Sequence, residues 1–340
     1  MQNSELKNSK KVLLIAPVFF GYYKEMLSEL ERQGYEAEYI CDMASNSNLL
    51  KAAGRVNKKL TYGITDKYFK ESVLPVVQGK SFDCVLVIGG MTFAFSPEMV
   101  EEIRLLQSNA EFVLYQWDSE KNLPYSTSIH KYFDRIYTFD RPDSISEPDK
   151  YRLLALFYLP EYSEIAQKDC ETKYDCSYVG TAHPRKYKEV NEIAEAVKEA
   201  MPRQFIFHYM PSRLKYIYHK LRAPEYKHAK YRDFQTEKLS KSETLEIMAE
   251  SKCILDAPQG GQTGLTIRTI ECLGAKKKLI TSNADVQYYD FYKPVNILIY
   301  NEAKKIDVTS PFFTEAYEEI PEEIYEKYSL SSWIKTLIEG

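Results

Sequence analysis

Residues 253–283 read CILDAPQGGQTGLTIRTIECLGAKKKLITSN, and the reading of the whole chain starts here. Cys253, Ile254 and Leu255 form a short apolar run of the kind a buried strand needs. A loop follows with three glycines in five residues, Gly260, Gly261 and Gly264, set among Gln259, Gln262 and Thr263. Leu265, Ile267, Ile270, Cys272 and Leu273 then give one apolar helix face, closed by Gly274 and the basic run Lys276–Lys278. Leu279–Asn283 is the next strand and its exit. The order is strand, glycine loop, helix, strand.

Such a unit has a physical use. The first amides of a helix lack intrahelical partners, and their dipoles favour negative charge. Glycine lets that backbone approach a phosphate closely, so the corner Gly264, Leu265, Thr266 is read as a diphosphate cradle. Arg268 and Glu271 lie three apart, on neighbouring positions of one helix face. Two readings stand for them. The Arg faces phosphate oxygens while the Glu accepts hydrogen bonds from ribose hydroxyls, or the two pair with each other on a solvated face.

The 340 residues can form two domains, each large enough to bury its own core. Hydrophobic residues make up 44% and charged residues 28%, a globular balance. The net charge of −4 gives the molecule no electrostatic reason to seek nucleic acid. No apolar run approaches the roughly 18–20 residues that span a bilayer. Met1–Lys11 is polar, so no signal peptide is expected there. Cys170 and Cys176 have no matching Cys or His pair, which argues against zinc, and the six scattered cysteines suit reduced thiols in the cytoplasm. Tyrosine is the outlier at 28 residues. It suits carbohydrate-facing surfaces or membrane-interface contacts, or is a habit of composition.

The chain begins with a buried strand at Lys11–Ile15, an amphipathic helix at Tyr23–Gln33 stopped by Gly34, and a second strand at Glu36–Cys41. That opening implies a Rossmann-like sheet, without the G-x-G-x-x-G of a dinucleotide site. Asn46–Thr61 reads as a polar, basic loop or helix. Asp66–Val77 and Pro97–Gln107 read as helices, and Asp83–Gly89, Phe112–Tyr115 and Arg135–Phe139 as strands. Ligands of open α/β sheets bind at the carboxyl ends of strands. Asp118 follows such an end and a tryptophan, and is read either as a partly buried proton acceptor or as a helix cap or Lys121 partner. Turn chemistry accounts for Asp140 and Asp143.

The pattern restarts at Asp175–Gly180, so a domain boundary is expected near residues 160–173. Gly180 and Thr181 lead to Arg185 and Lys186, a glycine turn with two cations that suits a diphosphate or merely a charged surface turn. His183 stands between them, within reach of a leaving group or incidental. A helix at Tyr187–Ala200 and a strand at Gln204–Tyr209 follow. Ser212–Arg232 holds seven Lys or Arg, two His, four Tyr and one acid, Glu225. It suits peripheral contact with an anionic membrane face, a phosphate-bearing acceptor or RNA, or is a solvated helical excursion. A helix capped by Ser242 is expected over Ser242–Ser251, a strand at Val295–Tyr300, and tail helices at about Glu315–Tyr328 and Ser331–Ile338.

This arrangement resembles the GT-B glycosyltransferases, nearest the CgeB-like and capsular or lipopolysaccharide enzymes. The likeness rests on residues 133–140 (FDRIYTFD), on Tyr178-Val179-Gly180 with Arg185, and on residues 264–274 (GLTIRTIECLG) with the strand Lys278–Thr281. It implies an α/β fold of two Rossmann-like domains facing across a cleft: an acceptor domain at 1–165, a donor domain at 172–315, and a C-terminal segment at 316–340 crossing back to the first. It further implies a hexosyltransferase-class enzyme of bacterial surface polysaccharide or lipid-linked glycan synthesis, with a nucleotide-sugar donor and a saccharide or lipid-linked saccharide acceptor. Glu271 would bind the ribose and Gly264 to Thr266 the diphosphate. Gly180, Thr181, Arg185, Lys186 and Arg268 would complete the donor site, with Asp118 as base if the enzyme inverts. Thr263 stands where a related pattern has a second Glu, which leaves sugar contacts and stereochemistry open. No Asp-x-Asp ends a strand convincingly, in keeping with a metal-independent reaction and no cofactor. A two-domain ligand-binding protein and a sugar-nucleotide epimerase are the alternatives.

Overall fold

The structure, a computed structural model, describes residues 9–18, 21–44, 62–123, 125–258 and 263–340. The segment expected at 46–61, Phe19, Phe20 and the loop residues 259–262, with two of the three glycines, lie outside the described residues. The chain divides into two compact units, Met1–Ala155 with Leu330–Gly340, and Leu156–Ser329.

The first unit holds six parallel strands: β1 (Lys11–Ala16), β2 (Glu36–Cys41), β3 (Cys84–Gly89), β4 (Glu111–Gln116), β5 (Arg135–Thr138) and β6 (Arg152–Leu153). Their order is β2-β1-β3-β4-β5-β6. All six residues of β3 are buried, as an apolar run without alternation requires when helices cover both faces. The expected Asp66–Val77 helix is longer, running from Tyr62 to Gly79 through a π-helical turn at Phe69–Val73. β6 is only two residues long and exposed, and sequence reading missed it. The closing helix Leu330–Glu339 belongs to this unit. Trp333, Ile334 and Leu337 are fully buried, and the Trp333 ring meets Tyr115 edge-on at 4.7 Å.

The second unit holds β7 (Tyr174–Thr181), β8 (Gln204–Tyr209), β9 (Ser251–Asp256), β10 (Lys278–Thr281) and β11 (Ile297–Ile299), all parallel, in the order β11-β10-β9-β7-β8. Two expectations need correction, and one helix was not anticipated. The helix before β9 starts at Lys241, because Ser240 and Glu243 form a reciprocal capping box that outcompetes Ser242. The polar stretch after Pro160 is a helix, Pro160–Gln167, with proline at its first position. The helix expected over Glu315–Tyr328 is confined to Glu322–Lys327, and a separate short helix, Pro311–Thr314, ends before Glu315. Pro321, at the boundary of the second, fixes its own φ and has no N–H to donate.

Candidate functional site

Because all five strands of the second unit are parallel, their carboxyl ends share one edge. Thr181, Asp256 and Thr281 end β7, β9 and β10 there, and Thr281 lies beside Asp256 in register. The helix Ile267–Gly274 starts two residues later than its apolar pattern suggests. Thr266 is its N-cap and accepts from the Thr269 N–H at 3.3 Å, which leaves Gly264 and Leu265 in the loop. Asn283 holds that loop by donating to the Gly264 carbonyl at 3.1 Å.

A buried polar cluster surrounds this helix start. Asp256, 1% exposed, meets the Lys186 ammonium at 3.0 Å and accepts from the Thr266 hydroxyl. One turn into the helix, Arg268 pairs with Glu271 at 3.0 Å, and Glu271 also accepts from the Tyr162 hydroxyl at 2.6 Å. The pair anticipated on a solvated face therefore exists but is enclosed, with Glu271 only 4% exposed. Burial works against the Arg268 charge, but Glu271, Tyr162 and Asp256 outweigh it and hold the guanidinium ionised. Burial, with the charge of Asp256, raises the Tyr178 hydroxyl above its ordinary range.

Gly180 has a reason beyond phosphate access. A Cβ built there would lie 2.3 Å from the Tyr178 hydroxyl oxygen, so the ring folds back over the glycine. Thr181 completes β7. Arg185, with 51% of its side chain exposed, pairs with Glu189 at 2.5 Å, and Glu189 is also held by Ser282. His183 precedes the helix Pro184–Ala196, which begins earlier than expected because Pro184 takes its first turn. Burial, then Lys215 and Lys186, push the His183 imidazole down to about 4. Sequence reasoning missed Asp256, Tyr178 and Tyr162. Asp256 was legible as the last residue of an apolar strand, but Tyr162 enters through the helix Pro160–Gln167, which was not anticipated.

In the first unit, Asp118 follows β4 and is partly buried. Its Oδ1 accepts from the Ser119 N–H at 3.0 Å and from the Asn122 amide at 2.8 Å. Burial raises its pKa against those two hydrogen bonds, and the nearby Asp140 adds to the rise. The Trp117 ring beside it packs 5.6 Å from Tyr22. Asp140 caps the helix Arg141–Ser146 by accepting from Asp143, and Asp143 accepts from the Glu120 N–H at 2.7 Å. Both therefore serve the turn chemistry anticipated for them.

No family model and no curated protein matches the chain. Solved structures do. A sucrose-phosphate synthase from Thermosynechococcus elongatus aligns over 97% of this chain and 98% of its own, with TM-score 0.62 and 10% identity. Anabaena HepE in complex with UDP and glucose aligns over the same shares, at 0.58 and 8%. A UDP-GlcNAc 2-epimerase from Neisseria meningitidis, bound to UDP-GlcNAc, aligns likewise at 0.54 and 14%. The fold of this chain is GT-B, two Rossmann-like domains, as in structurally known glycosyltransferases and also an epimerase.

Proposed function

We propose that the protein is a glycosyltransferase that moves a sugar from a nucleoside diphosphate to an acceptor hydroxyl, in the cytoplasm, during synthesis of a bacterial surface polysaccharide or lipid-linked glycan. The observation that carries this reading is the start of the helix Ile267–Gly274, placed at the carboxyl edge of its sheet with Lys186, Arg268 and Glu271 beside it. Helix amides and cations suit a diphosphate, and a carboxylate one turn in suits ribose hydroxyls. UDP in the complex of the similar HepE agrees with that ligand class.

In the reaction, the bond from the anomeric carbon to the diphosphate oxygen breaks, and its electron pair leaves with the diphosphate. Arg185, Lys186 and the amides near Thr266 meet that charge. The acceptor oxygen bonds to the anomeric carbon and gives its proton to Asp118, if the enzyme inverts. These groups supply the charge stabilisation without a metal, so transfer is expected to survive EDTA.

Thermal-shift measurements with UDP, GDP, TDP and CMP test the reading. One diphosphate should raise the melting temperature, and Glu271→Ala and Arg185→Ala should each lose that rise. Variants that bind as well as the parent would overturn the site. The epimerase shares the fold and is the second reading; it requires product from the nucleotide sugar with no acceptor present.

A further inference from the structure

The helix Arg213–Arg222 turns its apolar side to solvent. Leu214 and Leu221 are 79% and 80% exposed, and Ile217 and Tyr218 are 42% and 54%. The spacing 214, 217, 218, 221 puts all four on one stripe of the helix surface. Its other side is engaged. The Tyr216 hydroxyl donates to the Ala229 carbonyl at 3.0 Å, and the His219 ring stacks on the buried Tyr226 at 5.4 Å. Tyr226 in turn donates to the Ala182 carbonyl, which ties the segment to the end of β7. An ordinary surface helix shows the reverse arrangement, with apolar side chains inward.

Cations border the stripe. At about 100° per residue, Arg213 and Lys220 fall on one border and Lys215 and Arg222 on the other. Lys220 is anchored, donating to the carbonyls of Tyr226, Lys227 and Ala229 at 2.9, 2.7 and 2.8 Å. Arg213 and Arg222 are exposed, as are Lys227, Lys230 and Arg232 beyond the helix. Glu225 is the single carboxylate in Ser212–Arg232 before Asp233, although the whole chain carries −4.

We propose that this helix docks the protein on an anionic lipid bilayer. Leu214, Ile217, Tyr218 and Leu221 enter the boundary between headgroups and acyl chains, and Arg213, Lys215 and Arg222 meet the lipid phosphates. Short helices with an apolar stripe and basic borders lie in that boundary, and each cation adds attraction to an anionic leaflet. Charge selects this occupant over a second copy of the chain, which would set two basic borders against each other. Among the described residues no helix is long and apolar enough to cross a membrane. The proposal goes beyond sugar transfer and does not rest on it.

Co-sedimentation of the full chain with lipid vesicles tests it. The protein should pellet with phosphatidylcholine vesicles carrying phosphatidylglycerol and stay in the supernatant with phosphatidylcholine alone. Leu214→Ser with Leu221→Ser should cut the bound fraction at least about tenfold, and so should Arg213→Gln with Arg222→Gln. These side chains are exposed, so circular dichroism and melting temperature should match the parent. In Tyr218→Trp, anionic vesicles should shift the new indole's emission to the blue. The proposal is overturned if the parent stays in the supernatant with anionic vesicles, or if the serine variant binds them as well. A parent dimer that the serine variant dissociates, without vesicle binding, would instead assign the stripe to a second copy.

Discussion

Asp256 lies between the Lys186 ammonium and the Thr266 hydroxyl, and its charge also acts on Arg268 and Tyr178. Removing one partner of a buried pair leaves the other charge uncompensated, at a cost of about 3–5 kcal/mol. Asp256→Ala should therefore lower the urea midpoint of the second unit by a corresponding amount; an unchanged midpoint would mean that water already screens the pair. Asp118 leads to the opposite stability expectation. Its carboxyl is raised by burial, so ionisation disfavours the folded state, and Asp118→Asn should not lower the melting temperature at neutral pH. On the inverting transfer proposed above, the same Asp118→Asn substitution should lower kcat by about 10²–10⁴-fold with donor binding unchanged. Steady-state kinetics beside a nucleotide titration would separate those two effects. The partial burial of Asp118 was legible because a strand end and a tryptophan precede it. The Arg268–Glu271 pair was legible from its spacing of three, but its burial was not, and Lys186 gave no sign of Asp256, the carboxylate that holds it.

The helix Ile267–Gly274 is set as much by what packs on it as by its own pattern. A Cβ at Gly274 would lie 2.5 Å from the Tyr158 ring, and that ring packs 5.1 Å from Tyr325, whose hydroxyl donates to the Gly274 carbonyl. Neither aromatic can yield without moving the other, so Gly274→Ala should cost about 1–3 kcal/mol. Gly79→Ala is the control. That glycine ends a helix with nothing within 4 Å of a built Cβ, so the change should leave denaturant midpoints unmoved or slightly raised. In the sequence Gly274 reads as a helix stop, and Gly79 likewise ends a helix in the structure. The difference lies in tyrosines that come from elsewhere in the chain, and a local pattern carries no record of them.

Across the molecule, burial holds three imidazoles near 4: His130, pushed further down by Lys150; His183, by Lys215 and Lys186; and His208. The unfolded chain protonates them near about 6.5. Between those values it therefore binds more protons than the folded chain, and stability falls as pH falls through the window. The slope is up to about 1.4 kcal/mol per pH unit for each histidine. Denaturant midpoints should thus drop steadily from pH 6.5 to 4, and His130→Gln should flatten the part due to the first unit. A midpoint independent of pH there would mean that the imidazoles stay solvated. Many tyrosines also work inside the fold. Tyr187, Tyr226 and Phe234 pack 5.0 to 5.5 Å apart beneath the basic segment, which gives that part of the tyrosine excess a packing role.

The sequence alone marked every strand of the two parallel sheets except β6, because most central strands are buried on both faces and are written as apolar runs, with glycines and prolines between them at the crossings. It also located the helix start at Thr266 to within two residues, since capping is local chemistry. Tertiary structure alone decided which charges meet. Asp256 joins Lys186 from seventy residues away, Tyr162 reaches Glu271 across more than a hundred, and the stripe on Arg213–Arg222 faces outward only because Tyr216 and His219 hold the opposite side. Periodicity states that a helix has two faces. Which of them is covered depends on contacts between distant parts of the chain, and these form only when it folds.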